Sequence, residues 1–142
     1  MFSNILVPLD IDAEKTCADA LALARELMEK HQSKLTLLHV NEVITGMVAA
    51  HLPADFAKKA AETALENLKP AAAAAGLADK ADCIVLSGNP ATEILEHAKN
   101  SGADTIVIAS HEPGLADYLI GSVAGKVVRH AHCSVLVVRN PG

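Results

Sequence analysis

Short apolar runs alternate with longer stripes of apolar residues at helical spacing along this chain. The runs are Asn4–Leu9 (NILVPL), Leu35–Val40 (LTLLHV), Ala81–Leu86, Thr105–Ala109 and Val135–Val138. Short, near-continuous apolar runs fit strands buried on both faces of a sheet. From about Ala13 to His31 the residues Cys17, Ala20, Leu21, Ala24, Leu27 and Met28 recur at helical spacing. Ala57, Ala61, Ala64, Leu65, Leu68 and Ala75 form a second stripe over Ala54–Ala75, and Gly76 follows as a C-terminal stop. Pro70 falls inside that stripe. Without an N–H, and with a ring that crowds the preceding turn, it is expected to bend or interrupt the helix.

Asn89 reads as an N-cap, with Pro90 at the first helical position. Ala91, Ile94, Leu95 and Ala98 make the inner face of that helix, and Gly102 ends it. Ser122–Ala131 reads as the last helix, with Val123, Val127 and Val128 inward. Asn41–Pro53 has no clear period and reads as a loop.

Strands that alternate with helices predict a parallel sheet, right-handed crossovers and helices on both faces. With 142 residues and no linker, low-complexity tail or internal repeat, one α/β domain over residues 1–142 is expected. Such sheets bind ligands at the carboxyl ends of their strands, where the winding direction reverses. Strand one ends at Pro8–Asp10 and strand four at Ala109–Ser110. If these strands are neighbours, their loops line one crevice. The loop after strand four leads to Gly121–Ser122 and a helix start. Backbone N–H groups and the positive end of a helix dipole converge at such a point, which suggests a phosphate-bearing ligand.

Composition narrows the choice. Hydrophobic residues are 51% of the chain, but aromatics are only 2% and Trp is absent, so the core is aliphatic. That argues against binding by stacking on aromatic platforms. A net charge of -5 argues against nucleic-acid and membrane-surface partners. It leaves a local phosphate site open, because backbone dipoles act at short range. Cys17, Cys83 and Cys133 are odd in number, widely spaced and in no metal-ligand pattern, which fits a reduced, cytoplasmic setting. The N-terminus lacks a basic signal region, and no apolar segment approaches the roughly 20 residues needed to span a bilayer.

At this point the chain resembles the universal stress protein family over essentially its full length. The resemblance rests on NILVPLD, LTLLHV, SGNPATEIL and, most specifically, IVIASHEPGLADYLIGSVAGKVVRHAHCSVLVVR. It implies a five-stranded parallel sheet in the order 3-2-1-4-5, of the adenine nucleotide alpha hydrolase-like kind. It also implies a dimer formed through strand 134–138 and, as in many members, bound ATP, ADP or AMP. Members that bind ATP carry a glycine after strand four, another three positions on, and a later Gly–Ser or Gly–Thr pair. Here Ala109 and Glu112 stand at the first two positions, the pair is intact as Gly121–Ser122, and the loop is one residue shorter. The arrangement ASHxPxxxxYLxGS is similar to a bacterial subgroup with the same shortened loop. The resemblance places Pro8, Leu9 and Val40 beside adenine, Asp10 near the ribose or a nucleotide-bound Mg2+, and Ala109 and Ser110 under the ribose and phosphates. Gly121, Ser122 and Val123 would hold the phosphates, with His111 as a further donor.

Each residue also has a plainer reading. Gly121–Ser122 fits a turn followed by an N-cap serine, and Asp10 or Asp12 fits a cap on the Ala13–His31 helix. His111 fits an exposed loop residue. Ala109 suits the site only if it keeps a negative φ or the loop takes another path, because Ala at positive φ costs on the order of 1 kcal/mol. Gly121–Lys126 superficially resembles a P-loop, but it has one intervening residue too few and Val127 stands where Ser or Thr would bind magnesium. His130, His132 and Cys133 suit a helix C-terminus better than a metal site.

No nucleophile–base pair or arginine clamp is legible near the loop, so at most slow ATP hydrolysis is expected. Glu112 is its only carboxylate before Asp117. Strand three ends without the carboxylate of a phosphoacceptor receiver domain, and a lone tyrosine, Tyr118, disfavours a flavodoxin. Two functions remain beside the enzyme: a nucleotide-binding stress regulator with an unidentified protein partner, and an interaction module that has lost its nucleotide.

Overall fold

The structure is a computed structural model that describes residues 1–11, 14–43, 46–110 and 120–139. His111, Glu112, Pro113, Asp117 and Tyr118 therefore lie outside the described residues, as does Asp12. The elements run β1 (Asn4–Pro8), α1 (Glu14–His31), β2 (Lys34–Asn41), α2 (Met47–Ala50), α3 (Phe56–Ala74), β3 (Asp82–Ser87), α4 (Pro90–Ser101), β4 (Thr105–Ala109), α5 (Ser122–His130) and β5 (Ser134–Val138). The strands form one five-stranded sheet in the order β3-β2-β1-β4-β5, and every recorded pairing is parallel. The expected order is thus observed.

The pleat divides the core into two layers. Ile5 and Val7 of β1 join Leu35 and Leu37 of β2 on the face covered by α1 and α3. Leu6, Leu38, Ile106 and Ile108 face the other way, onto Ile94 and Ala98 of α4 and Ala124 and Val127 of α5. Central strands buried on both faces explain why the sequence shows continuous apolar runs there. The edge strands β3 and β5 are only partly covered, with burial alternating along β5 and Leu136 36% exposed.

Local chemistry sets the helix ends. Asn89 caps α4, its side-chain oxygen accepting the Thr92 N–H at 3.1 Å, with Pro90 in the first turn. Gly102 ends α4 in the left-handed region at φ 72°, where glycine is favoured.

Three expectations need correction. Val128, read as inward, is 47% exposed, while Val127 is buried and Val123 half-buried against the sheet. α3 runs unbroken through Pro70. Glu66 and Pro70 lie on its exposed side, so the carbonyl that proline leaves without its helical partner is not forced into the core, while Leu68 and Ala72 stay buried on the inner side. The segment read as loop contains the last residue of β2, Asn41, and the single-turn helix α2. α2 buries no residue, so it leaves no apolar stripe to read.

At the amino end of the sheet, Asp104 ties the chain start to β4. One carboxylate oxygen accepts the N–H groups of Ser3 and Asn4 at 2.9 and 3.2 Å, and the other accepts the Thr105 hydroxyl at 2.9 Å. Desolvation alone would raise the Asp104 pKa. The Ser3 N–H, the Thr105 hydroxyl, the Asn4 N–H and the N-terminal charge together hold it below the usual value.

Candidate functional site at the carboxyl ends of β1 and β4

β1 pairs with β2 along its whole length, from Asn4–Lys34 to Pro8–Leu38. Its register with β4 covers only Ile5–Thr105 and Leu6–Ile106. The two strands therefore part toward their carboxyl ends. This is the point where the winding direction reverses, since β1 leads to β2 on one side and has β4 on the other. A crevice at that point is where an open parallel sheet binds its ligand.

The β1 side of the crevice is Pro8, Leu9 and Asp10. Pro8 and Leu9 are buried and Asp10 is exposed. The Leu9 N–H donates to the Leu38 carbonyl at 2.8 Å, extending the ladder by one residue. The Leu9 carbonyl lies 2.9 Å from His39 Nδ1, and the Asp10 carbonyl accepts from the Cys17 thiol. Both neighbouring elements thus hold this short backbone stretch. Val40, next in β2, is half-buried and packs against the α4–α5 layer.

The β4 side is built on Ser110. Its N–H donates to the Val138 carbonyl at 3.0 Å, and its hydroxyl oxygen accepts the Gly121 N–H at 2.9 Å. Ser110 is 9% exposed and Gly121 is buried, so this bond sits away from water. It closes the two ends of the β4–α5 connection onto each other and brings the start of α5 against the end of β4. Gly121 is the N-cap of α5, with φ -61° and ψ 158°, and Ser122 is the first helical residue. This corrects the plainer reading of Ser122 as the cap. The Gly125 N–H closes the first turn onto the Gly121 carbonyl at 2.7 Å. The N–H groups of Val123 and Ala124 precede that bond and have no acceptor within the helix, as in any first turn. Gly121 itself turns its N–H toward Ser110.

Ala109 ends β4 and is not among the described residues with positive φ, so its replacement of glycine carries no backbone strain. The structure therefore gathers Pro8, Leu9, Asp10, Ala109, Ser110, Gly121, Ser122 and Val123 at the carboxyl ends of two adjacent strands, with Val40 one strand further. Gly125 and Lys126 lie inside α5, whereas a P-loop precedes its helix. Among the described residues, no group of three or more His, Cys, Asp and Glu side chains forms a metal site.

Sequence reasoning missed His39. A lone polar residue near the end of the buried run LTLLHV was its signal, because a buried imidazole needs hydrogen-bond partners. An open groove of about 1210 Å3 lies between α1 and α3, lined by Leu9, Ile11, Cys17, Leu21, Pro70 and Ala71 among others. It adjoins the crevice through Leu9 and lies on the opposite side of the sheet from α5.

The comparisons with known proteins agree with this architecture. The chain is 37% identical to the universal stress protein YxiE of Bacillus subtilis, an alignment that covers 98% of this chain and 100% of that protein. The structure of the universal stress protein UspA from Lactobacillus plantarum superposes with a TM-score of 0.80 at 24% identity, covering 97% of this chain and 98% of that one. A universal stress protein in complex with cAMP matches with a TM-score of 0.69 at 22% identity, covering 97% of each chain. One from Archaeoglobus fulgidus in complex with dAMP matches at 0.60 and 19%, covering 98% of this chain and 100% of that one. The family model for the universal stress protein family matches residues 1–139. With the sheet order, the crevice and this match in agreement, the chain belongs to the universal stress protein family.

Proposed function

We propose that this chain is an adenine-nucleotide-binding stress-response regulator that acts in the cytoplasm through nucleotide-dependent interaction with a protein partner. The observation that carries the reading is the Ser110–Gly121 hydrogen bond, which sets the start of α5 beside the opening between β1 and β4. Phosphates would meet the first-turn amides around Ser122 and Val123 and the positive end of the α5 dipole. The base would lie against Pro8, Leu9 and Val40, an aliphatic surface consistent with a protein that has almost no aromatic residues. Asp10 would face the ribose, or hold Mg2+ carried in by the nucleotide, since a bare carboxylate would repel the phosphates. Two family members of known structure hold cAMP and dAMP, which supports an adenine nucleotide over other phosphate esters.

The reading includes a homodimer joined through β5, an edge strand whose backbone would continue the sheet into a second copy. Any hydrolysis would be slow, because the described residues offer no nucleophile–base pair at the crevice. Calorimetric titration of ATP, ADP and AMP with magnesium, against the paired variant Gly121→Val/Ser122→Ala, tests the site. The unaltered protein should bind at least one of these with saturation, and the variant should lose that binding. Equal affinity in both proteins would remove the assigned site.

A second reading, a dimeric interaction module without nucleotide, draws on one observation. The Gly121 N–H is already used by Ser110, so one amide fewer faces the crevice. Saturable ATP binding in the micromolar range would exclude it.

A further inference from the structure

The ladder between β1 and β2 ends with the Leu9 N–H on the Leu38 carbonyl. The next acceptor on β1, the Leu9 carbonyl, is taken by a side chain. His39 Nδ1 lies 2.9 Å from it, and His39 Nε2 lies 3.0 Å from the Asn41 carboxamide oxygen. His39 is buried, at 8% exposure, and the Asn41 Nδ2 atom is buried with no hydrogen-bond partner among the described residues. Three polar groups thus interlock at the top of β2, and one of them is orphaned.

Donor and acceptor chemistry resolves the arrangement. A carbonyl oxygen only accepts, so Nδ1 must carry a proton. In a neutral ring Nε2 then bears a lone pair, and an amide oxygen facing it would repel it. Rotating the Asn41 carboxamide by half a turn puts its NH2 group on Nε2 and removes the orphaned donor. Both ring nitrogens are then satisfied, and the unused position holds an oxygen, which tolerates under-satisfaction better than an NH2 group does.

We infer that His39, fixed by Asn41, is a positioning residue of the nucleotide crevice. Its Nδ1–H holds the Leu9 carbonyl, and so fixes the planar peptide between Leu9 and Asp10 at the lip where the base and ribose would sit. The inference rests on the nucleotide reading of that crevice. Without the imidazole, the Leu9 N–H on Leu38 and the Cys17 thiol on the Asp10 carbonyl would remain, but the Leu9 carbonyl between them would lose its anchor.

Two substitutions separate this role from general support of the core. In His39→Asn the carboxamide reaches the Nδ1 position and restores a donor to Leu9. In His39→Gln it reaches the Nε2 position and leaves the Leu9 carbonyl unserved. Calorimetric titration with ATP and magnesium should show His39→Gln weakened by about tenfold, the worth of one well-placed hydrogen bond, and His39→Asn within about threefold of the unaltered protein. Equal weakening in both, or in neither, with cooperative unfolding retained, would overturn the positioning role.

Nitrogen NMR of the His39 ring in the unaltered protein tests the clamp without any substitution. It should show the neutral ring protonated at Nδ1 and bare at Nε2, and a ring protonated only at Nε2 would overturn the inference. If the unaltered protein binds no nucleotide while Nδ1 carries the proton, the clamp exists but the crevice reading fails. The positioning role then fails with it.

Discussion

Ser110→Ala removes a buried side-chain hydrogen bond that, among the described residues, joins the two ends of the β4–α5 connection. The Ser110 oxygen accepts the Gly121 N–H at 2.9 Å in a buried setting. Alanine fills nearly the same space, so packing barely changes, but the Gly121 N–H loses its acceptor. Leaving a buried donor unsatisfied costs about 1–3 kcal/mol. Taking about 2 kcal/mol, the melting temperature of a chain this size should fall by roughly 4–8 °C. Urea unfolding should show the loss as a shifted midpoint at unchanged slope, because the surface exposed on unfolding stays the same. The start of α5 would also be less firmly placed, so nucleotide affinity at 25 °C, where the variant remains folded, should fall as well. A stability change within about 0.5 kcal/mol, the range of ordinary surface substitutions, would refute the reasoning. Water would then be serving Gly121, and the bond would not define the site.

Four further outcomes are expected. Leu37, with no exposed surface between the β2 neighbours and the α1–α3 layer, should cost about 2–5 kcal/mol on change to alanine, read by urea unfolding. Asp104 has a folded pKa below its unfolded value, so its carboxylate contributes stability above the unfolded value and loses it as pH falls through the folded one. The gap in melting temperature between the unaltered protein and Asp104→Asn should therefore hold from neutral pH down to about 5 and close at pH values below about 3.9. Desolvation raises the thiol pKa values of Cys83 and Cys133, and Cys17 is buried, so all three should label slowly with a disulfide reagent at pH 7 and quickly in urea. Gly76 and Gly102 have φ +78° and +72°, so alanine at either should destabilise by about 1 kcal/mol, and by similar amounts, because the Cβ added at Gly76 meets only the movable end of Arg25.

The strands and the long helices were readable because a central parallel strand is apolar on both faces and a covering helix is apolar on one. Those patterns also located the carboxyl ends of β1 and β4, and with them most of the crevice. What escaped had no period to betray it. α2 is a single turn without buried residues. Pro70 reads as a breaker, yet it lies on the exposed side of α3 while Leu68 and Ala72 keep the helix seated. His39, Ser110 and Asp104 act through one or two hydrogen bonds to distant backbone, and their partners are set only once the sheet is assembled. Gly121–Ser122 was legible as a helix start, but not which of the two caps it.

The central claim, that an adenine nucleotide binds at the carboxyl ends of β1 and β4, is tested most directly by amide NMR during titration with magnesium and ATP. Saturable shifts should concentrate on Leu9, Asp10, Val40, Ala109 and Gly121 to Val123. No response at millimolar ATP, or shifts confined to the groove between α1 and α3, would contradict the account.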